Sequence, residues 1–263
     1  MHLLEVNNLS LGYGSETIFS NIDIQEDSGK IIALLGSNGR GKSTLLRTLA
    51  GLEPIFSGEI FYDSVPLKKM NREQMSSMVS FVAPTIQKTE YLSVEGMLSI
   101  NTYHRTNWLG TLTEKEKERI AGSLDRVGLQ GFLQRECNSL SDGEYQRVTI
   151  AGALVQDSKI ILLDEPTAFL DIANKFLISR LLKQIAHSEN KLVIFSTHDL
   201  RLAMEICDKL WVMTPDGFFT GTPSELSSSS NDDSKCVIER MFNVSGVHFD
   251  PKIKSFILSE DED

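Results

Sequence analysis

The chain has 263 residues, 41% hydrophobic and 24% charged, a balance that fits one large globular domain or two small ones and excludes a fibrous or wholly disordered polymer. Its 26 basic and 36 acidic residues leave a net charge of −10, so no nucleic acid is expected as partner, because phosphate backbones reward clustered Lys and Arg. No stretch approaches the roughly 20 apolar residues of a membrane span, and Met1 to Asn8 lacks a basic region followed by an apolar one, so no secretory leader is expected and the chain is expected in the cytosol.

In chain order, Leu3 to Leu9, Thr17 to Ile24 and the apolar run Ile31 to Leu35 read as strands, the last ending at Gly36. A glycine-rich loop follows. Leu45, Leu46, Leu49 and Ala50 then share one helix face, and Gly51 and Pro54 supply the stop. The stretch 88–156 reads as a mostly helical lobe: Thr113 and Glu116 suit a capping box, and Ile120, Leu124 and Val127 make an apolar stripe. From 159 onward strands and helices alternate, with Ile160 to Leu163, a helix over 172–187, Leu192 to Ser196, a helix over 200–206, and Leu210 to Met213. That alternation implies a parallel sheet faced by helices. Ser227 to Ser234 reads as a low-complexity loop before a short helix near 235–242. Cys137, Cys207 and Cys236 are too few and too scattered for a metal or disulfide set and read as ordinary reduced thiols.

Gly36-Ser37-Asn38-Gly39-Arg40-Gly41-Lys42-Ser43-Thr44 fits the phosphate-loop pattern and lies between a buried strand and a helix, where that motif must lie. Its glycines let backbone N–H groups turn around a β-phosphate, the helix start favours negative charge, Lys42 can neutralise β- and γ-phosphate oxygens, and the Ser43 hydroxyl can ligate Mg²⁺. ATP and Mg²⁺ are therefore the expected ligands. Ile160 to Leu163 delivers Asp164 and Glu165 to a strand end, the edge at which open α/β sheets bind ligands. By themselves two acids after a strand also suit a helix N-cap. Coupled to a phosphate loop, Asp164 reads as the Mg²⁺ holder and Glu165 as the base that polarises water. Ser141 and Glu144 form a capping box that opens a helix with Val148, Ala151 and Val155 on its apolar face, and such a helix start is also able to face an anion.

The order of these segments, with Leu140-Ser141-Asp142-Gly143-Glu144, Leu162 to Glu165, Ala168-Phe169-Leu170-Asp171 and Ser196-Thr197-His198-Asp199, resembles the ATP-binding subunit of ABC transporters over nearly the whole chain. The resemblance implies an α/β fold: a P-loop NTPase core with a mostly parallel sheet, an antiparallel β subdomain at the N-terminus and an inserted α-helical lobe. It implies a single ABC ATPase domain over 1–263, with 1–87 and 157–222 as core, 88–156 as the lobe carrying the signature motif, and 223–263 as a C-terminal extension. It further implies ATP hydrolysis by a head-to-tail homodimer, with each ATP between one copy's phosphate loop and the other's signature helix. On that pattern Ser141 and Gly143 contact the γ-phosphate across the interface, Asp171 links the two sites, His198 contacts the γ-phosphate and positions water, and Tyr13 stacks on adenine.

Three positions depart from the family pattern. Asp142 replaces a usual glycine and Glu144 a frequent glutamine, bringing two extra carboxylates to a phosphate site. Gln87, matched to the Mg²⁺-sensing, permease-linked glutamine, stands two residues beyond its usual place directly after Pro84. The run Leu163 to Asp171 and the closing Phe242 to Pro251 are similar to importers for iron-siderophore, haem or cobalamin. That likeness implies membrane permease subunits as partners, a substrate-binding protein indirectly, and a peripheral place on the inner face of the cell membrane. A soluble ABC-type ATPase that drives a protein scaffold, as in iron–sulfur cluster assembly, also uses one unit of this size and remains the alternative.

Overall fold

The computed structural model describes residues 2–13, 16–84, 88, 91–105, 111–228, 236–241 and 247–258. In chain order the elements are β1 (Leu4–Tyr13), β2 (Glu16–Glu26), β3 (Lys30–Gly36), α1 (Lys42–Leu49), β4 (Ser57–Tyr62), β5 (Val65–Pro66), α2 (Arg72–Met78) and β6 (Val79–Val82). They continue with α3 (Val94–Ile100), α4 (Glu114–Arg126), α5 (Asp142–Gln156), β7 (Ile160–Leu163), α6 (Ile172–Ser188), β8 (Leu192–Ser196), α7 (Leu200–Ile206), β9 (Lys209–Thr214), β10 (Gly217–Gly221), α8 (Pro223–Ser227), β11 (Val247–Asp250) and β12 (Ser255–Leu258).

Among the described residues the main sheet has the order β10-β9-β3-β8-β7-β6, parallel except for the edge strand β10. Its central strands carry unbroken apolar runs because both faces are covered. Alternation then divides each run: Ile31, Ala33 and Leu35 enter the core on one face with α5 and α6, while Ile32 and Leu34 enter the other with α1 and the antiparallel sheet β2-β1-β4-β5. The fold class read from the sequence is therefore the one observed. Half-burial leaves its own mark on β2, where buried Ile22, Ile24 and Glu26 alternate with exposed Asp23 and Gln25.

Three local readings need correction. The Thr113 hydroxyl does accept from the Glu116 amide at 3.3 Å, but the Glu116 carboxylate turns away to Arg105, at 3.2 Å, so the capping box is half formed. A two-pronged guanidinium offers more to a carboxylate than one backbone N–H. The helix expected near 235–242 is a single 3₁₀ turn, Glu239–Met241. A hairpin follows that was not foreseen, β11 paired antiparallel with β12; Phe249 is buried there and packs edge-on against Phe256. The low-complexity segment lies mostly outside the described residues, from 229 onward. All three cysteines are free and buried.

Candidate active site

The phosphate loop leaves β3 at Gly36 and becomes α1 at Lys42. Gly39 at φ 77° and Gly41 at φ 96° take left-handed conformations that an L side chain resists; at Gly41 a Cβ would also press within 3.3 Å of Ile18 Cγ2. Lys42 is buried and curls back, donating from Nζ to the carbonyls of Gly36 at 2.8 Å and Ser37 at 3.1 Å. Burial lowers its pKa below the ordinary lysine value, opposed by the negative charges of Glu165 and Asp164. The ammonium is thus held among backbone oxygens facing the two acids. Ser43 and Asn38 are exposed, Thr44 is buried, and Arg40 Nε reaches Ser37 Oγ at 3.4 Å.

The acids arrive as expected at the end of β7. Asp164 is 1% exposed; its Oδ1 accepts from Ser196 Oγ at 2.5 Å, and its Oδ2 is buried with no hydrogen-bond partner. Glu165 sits at φ 51°, its amide donates to the same Ser196 Oγ at 2.9 Å, and its Oε1 lies 2.8 Å from His198 Nε2. Parallel pairing explains the meeting, since Leu163 stands beside Phe195 and the chains continue side by side into Asp164 and Ser196. Neither acid caps a helix. That role falls to Asp171, whose side chain accepts from the Asn174 amide at 2.8 Å and opens α6. Ser196 appeared in the sequence only as part of a motif; the role that its position suggests depends on the register between β7 and β8.

Ser141 and Gly143 stand in a second group at the start of α5. The capping box is complete: Ser141 Oγ accepts from the Glu144 amide at 3.2 Å, and Glu144 Oε2 accepts from the Ser141 amide at 2.7 Å. That backbone hydrogen bond, helped by Arg135, holds the Glu144 carboxyl below the ordinary range. Asp142 pairs with Lys88 at 2.8 Å. The two acids that depart from the family pattern are therefore each matched by a cation. A Cβ on Gly143 would come within 3.1 Å of the Phe169 carbonyl, so the glycine allows α5 to pack closely on the segment that leads to Asp171. Gln87 lies outside the described residues, as does the Tyr13 side chain, though the Tyr13 backbone closes β1.

The family model described as ABC transporter matches residues 19–168, which contain the phosphate loop, the signature helix and both acids. The chain belongs to the ABC transporter family. It is an ATP-binding protein and an ATPase of that family. Over 227 residues it is 33% identical to the achromobactin transport ATP-binding protein of Dickeya dadantii, covering 86% of this chain and 84% of the relative. It is 34% identical to a phosphonates import ATP-binding protein of Oceanobacillus iheyensis, covering 80% and 86%. An ABC transporter assigned to the metal-chelate type, in an inward-facing conformation, superposes with a TM-score of 0.78 at 27% identity, over 98% of this chain and 96% of the other. No helix among the described residues of this ABC ATPase is long and apolar enough to cross a membrane.

Proposed function

We propose that two copies of this ABC ATPase close head to tail around ATP and that closure and hydrolysis drive import of a metal chelate, of the iron-siderophore, haem or cobalamin kind, through membrane permease subunits. The observation that carries the reading is the convergence of Lys42, the unpartnered Asp164 Oδ2 and the Glu165–His198 pair at one sheet edge.

The loop residues Gly36, Ser37, Asn38, Gly39, Arg40, Gly41 and Thr44 surround the β-phosphate, and Lys42 exchanges the Gly36 and Ser37 carbonyls for phosphate oxygens. Tyr13 stacks on adenine. The buried Asp164 carboxylate oxygen without a partner and the Ser43 hydroxyl, one residue after Lys42, are hard-oxygen donors of the kind Mg²⁺ takes, so Asp164 and Ser43 would hold it, with Gln87 as its sensor. When bound, Mg²⁺ neutralises charge that develops on the phosphate oxygens. Water attacks the γ-phosphorus, the bond to the bridging oxygen breaks, ADP leaves, and a Glu165 carboxylate oxygen takes the water's proton. His198, hydrogen-bonded to that carboxylate, orients it and reaches the γ-phosphate. Ser141 and Gly143 of the second copy approach the same phosphate, and Asp171 communicates between the sites. The matched charges of Asp142 and Glu144 support this, since that helix start carries no uncompensated acid toward the anion.

A groove of about 720 Å³, lined by Leu52, Ile55, Leu67, Met75 and Phe81 and reaching Gln156 at the end of α5, is an apolar place for a permease segment beside the helical lobe. Leu52 stands 62% exposed at its rim. Docking there places the chain on the inner face of the membrane, with a substrate-binding protein on the far side. The metal-chelate neighbour's coverage of nearly the whole chain favours that cargo over a phosphonate, whereas sequence identity to the two relatives does not separate them.

The test combines assembly and partnership. Glu165→Gln with ATP is expected to run as a dimer on size exclusion, and the added Ser141→Arg is expected to leave ATP binding intact but abolish the dimer. Co-purification should capture a polytopic permease. A monomer under all conditions would overturn the head-to-tail reading, and soluble scaffold proteins in place of a permease would overturn import.

A further inference from the structure

We infer that Ser196 is the positioning residue that aims both site carboxylates through one hydroxyl. It is fully buried at the end of β8, a strand otherwise built of Leu, Val, Ile and Phe, so an apolar residue would suit its surroundings unless the hydroxyl had a task. The Oγ lies 2.9 Å from the Glu165 amide and 2.5 Å from Asp164 Oδ1. An amide can only donate, so Oγ accepts from Glu165 and its single proton points at Oδ1. Two consequences follow from that one orientation. Oδ1 is occupied, which leaves Oδ2, buried and without a partner, as the oxygen offered to a cation. The hydrogen bond from its amide also anchors Glu165 in its left-handed conformation at φ 51°, from which Oε1 meets His198. Metal holder and base are thereby set in one register by a residue that is itself fully buried.

This inference rests on Asp164 holding the cation and Glu165 acting as base, and the test separates the two. Mn²⁺ is titrated into the full chain with ATP and followed by electron paramagnetic resonance, while ATP affinity is measured separately in EDTA. Ser196→Ala is expected to raise the half-saturating Mn²⁺ concentration by about tenfold, the scale of lost outer-sphere hydrogen bonds to metal ligands. ATP affinity in EDTA should stay at the wild-type value, kcat should fall, and KM for ATP at saturating metal should hold. Ser196→Thr, which retains the hydroxyl, should restore both metal dependence and kcat. Wild-type metal dependence in the alanine chain overturns the inference. Should that chain not fold, Ser196→Cys keeps a similar size with a weak donor; a raised Mn²⁺ requirement is then expected, and an unchanged one overturns the inference. If Glu165→Gln turned over normally, or the wild type needed no divalent cation, the reading of the two acids would fall first. A silent Ser196→Ala beside a metal-dependent wild type removes Ser196 alone.

Discussion

At the scale of single residues, the site gathers one buried cation and two carboxylates at one sheet edge. Lys42 is buried at 6% exposure and donates to two carbonyls, a weaker match for an ammonium than phosphate oxygens. Lys42→Ala is accordingly expected to abolish ATP binding in equilibrium dialysis while the fold, followed by circular dichroism, persists. Glu165 holds a left-handed backbone that costs on the order of 1 kcal/mol in a non-glycine residue and is kept by two hydrogen bonds, its amide donating to Ser196 Oγ and its carbonyl accepting from the Ala168 amide. Glu165→Gln preserves those contacts yet removes the proton acceptor proposed for hydrolysis, so turnover should fall about 10²-fold or more with ATP binding retained. Equal phosphate release by mutant and wild type would remove Glu165 as base. The identities of these residues were legible in the sequence. The shared hydroxyl was not, because 31 positions separate Glu165 from Ser196 and only strand register joins them.

At the scale of elements, α5 ties the signature segment to the rest. Its reciprocal cap engages two of the helix's otherwise unpaired N–H groups, and Ser141→Ala should cost about 1 kcal/mol in urea unfolding. The pH behaviour has a definite sign. The folded Glu144 carboxyl lies below its ordinary value, chiefly through the Ser141 amide, so its stabilisation is complete above the ordinary carboxylate pKa of 4.5 and disappears as pH falls through the lowered folded value. Melting curves of Glu144→Gln and wild type should therefore differ near neutrality and converge on acidification below 4.5. Curves that run parallel across that range would refute a charge-based cap. The same S/T-x-x-E spacing predicted boxes at both Thr113 and Ser141, and the outcomes diverged because Arg105 competes for one glutamate while Arg135 only supports the other.

At the scale of the whole molecule, a few polar ties cross between parts that the sequence presents separately. Gln156, the last residue of α5, donates from Nε2 to the carbonyls of Ser76 and Val79, both at 2.8 Å, and Arg105 donates to the Gln156 carbonyl at 2.7 Å. These bonds join the helical segment to the rim of the apolar groove. The C-terminal hairpin is clipped by Glu239, whose carboxylate accepts from the amides of Cys236 and Phe249, each at 3.0 Å. Phe249 then completes the same core as α5 and α6. Phe249→Ala should lower stability by about 3 kcal/mol in chemical denaturation, with ATP affinity unaltered because Phe249 packs in the core shared with α5 and α6, whereas α1, which follows the phosphate loop, packs in the core on the other face of the sheet.

By itself the sequence determined the α/β class and where the candidate site segments lie, since phosphate loop, acidic strand end, capped helix and unbroken apolar strands are each written in contiguous residues whose backbone geometry is local. Tertiary structure alone decided which oxygen of Asp164 stays open, where Glu116 and Glu144 point, and how the last residues fold back as a hairpin. Those outcomes are contests among groups far apart in the chain, and a contest of that kind is resolved only by register and packing.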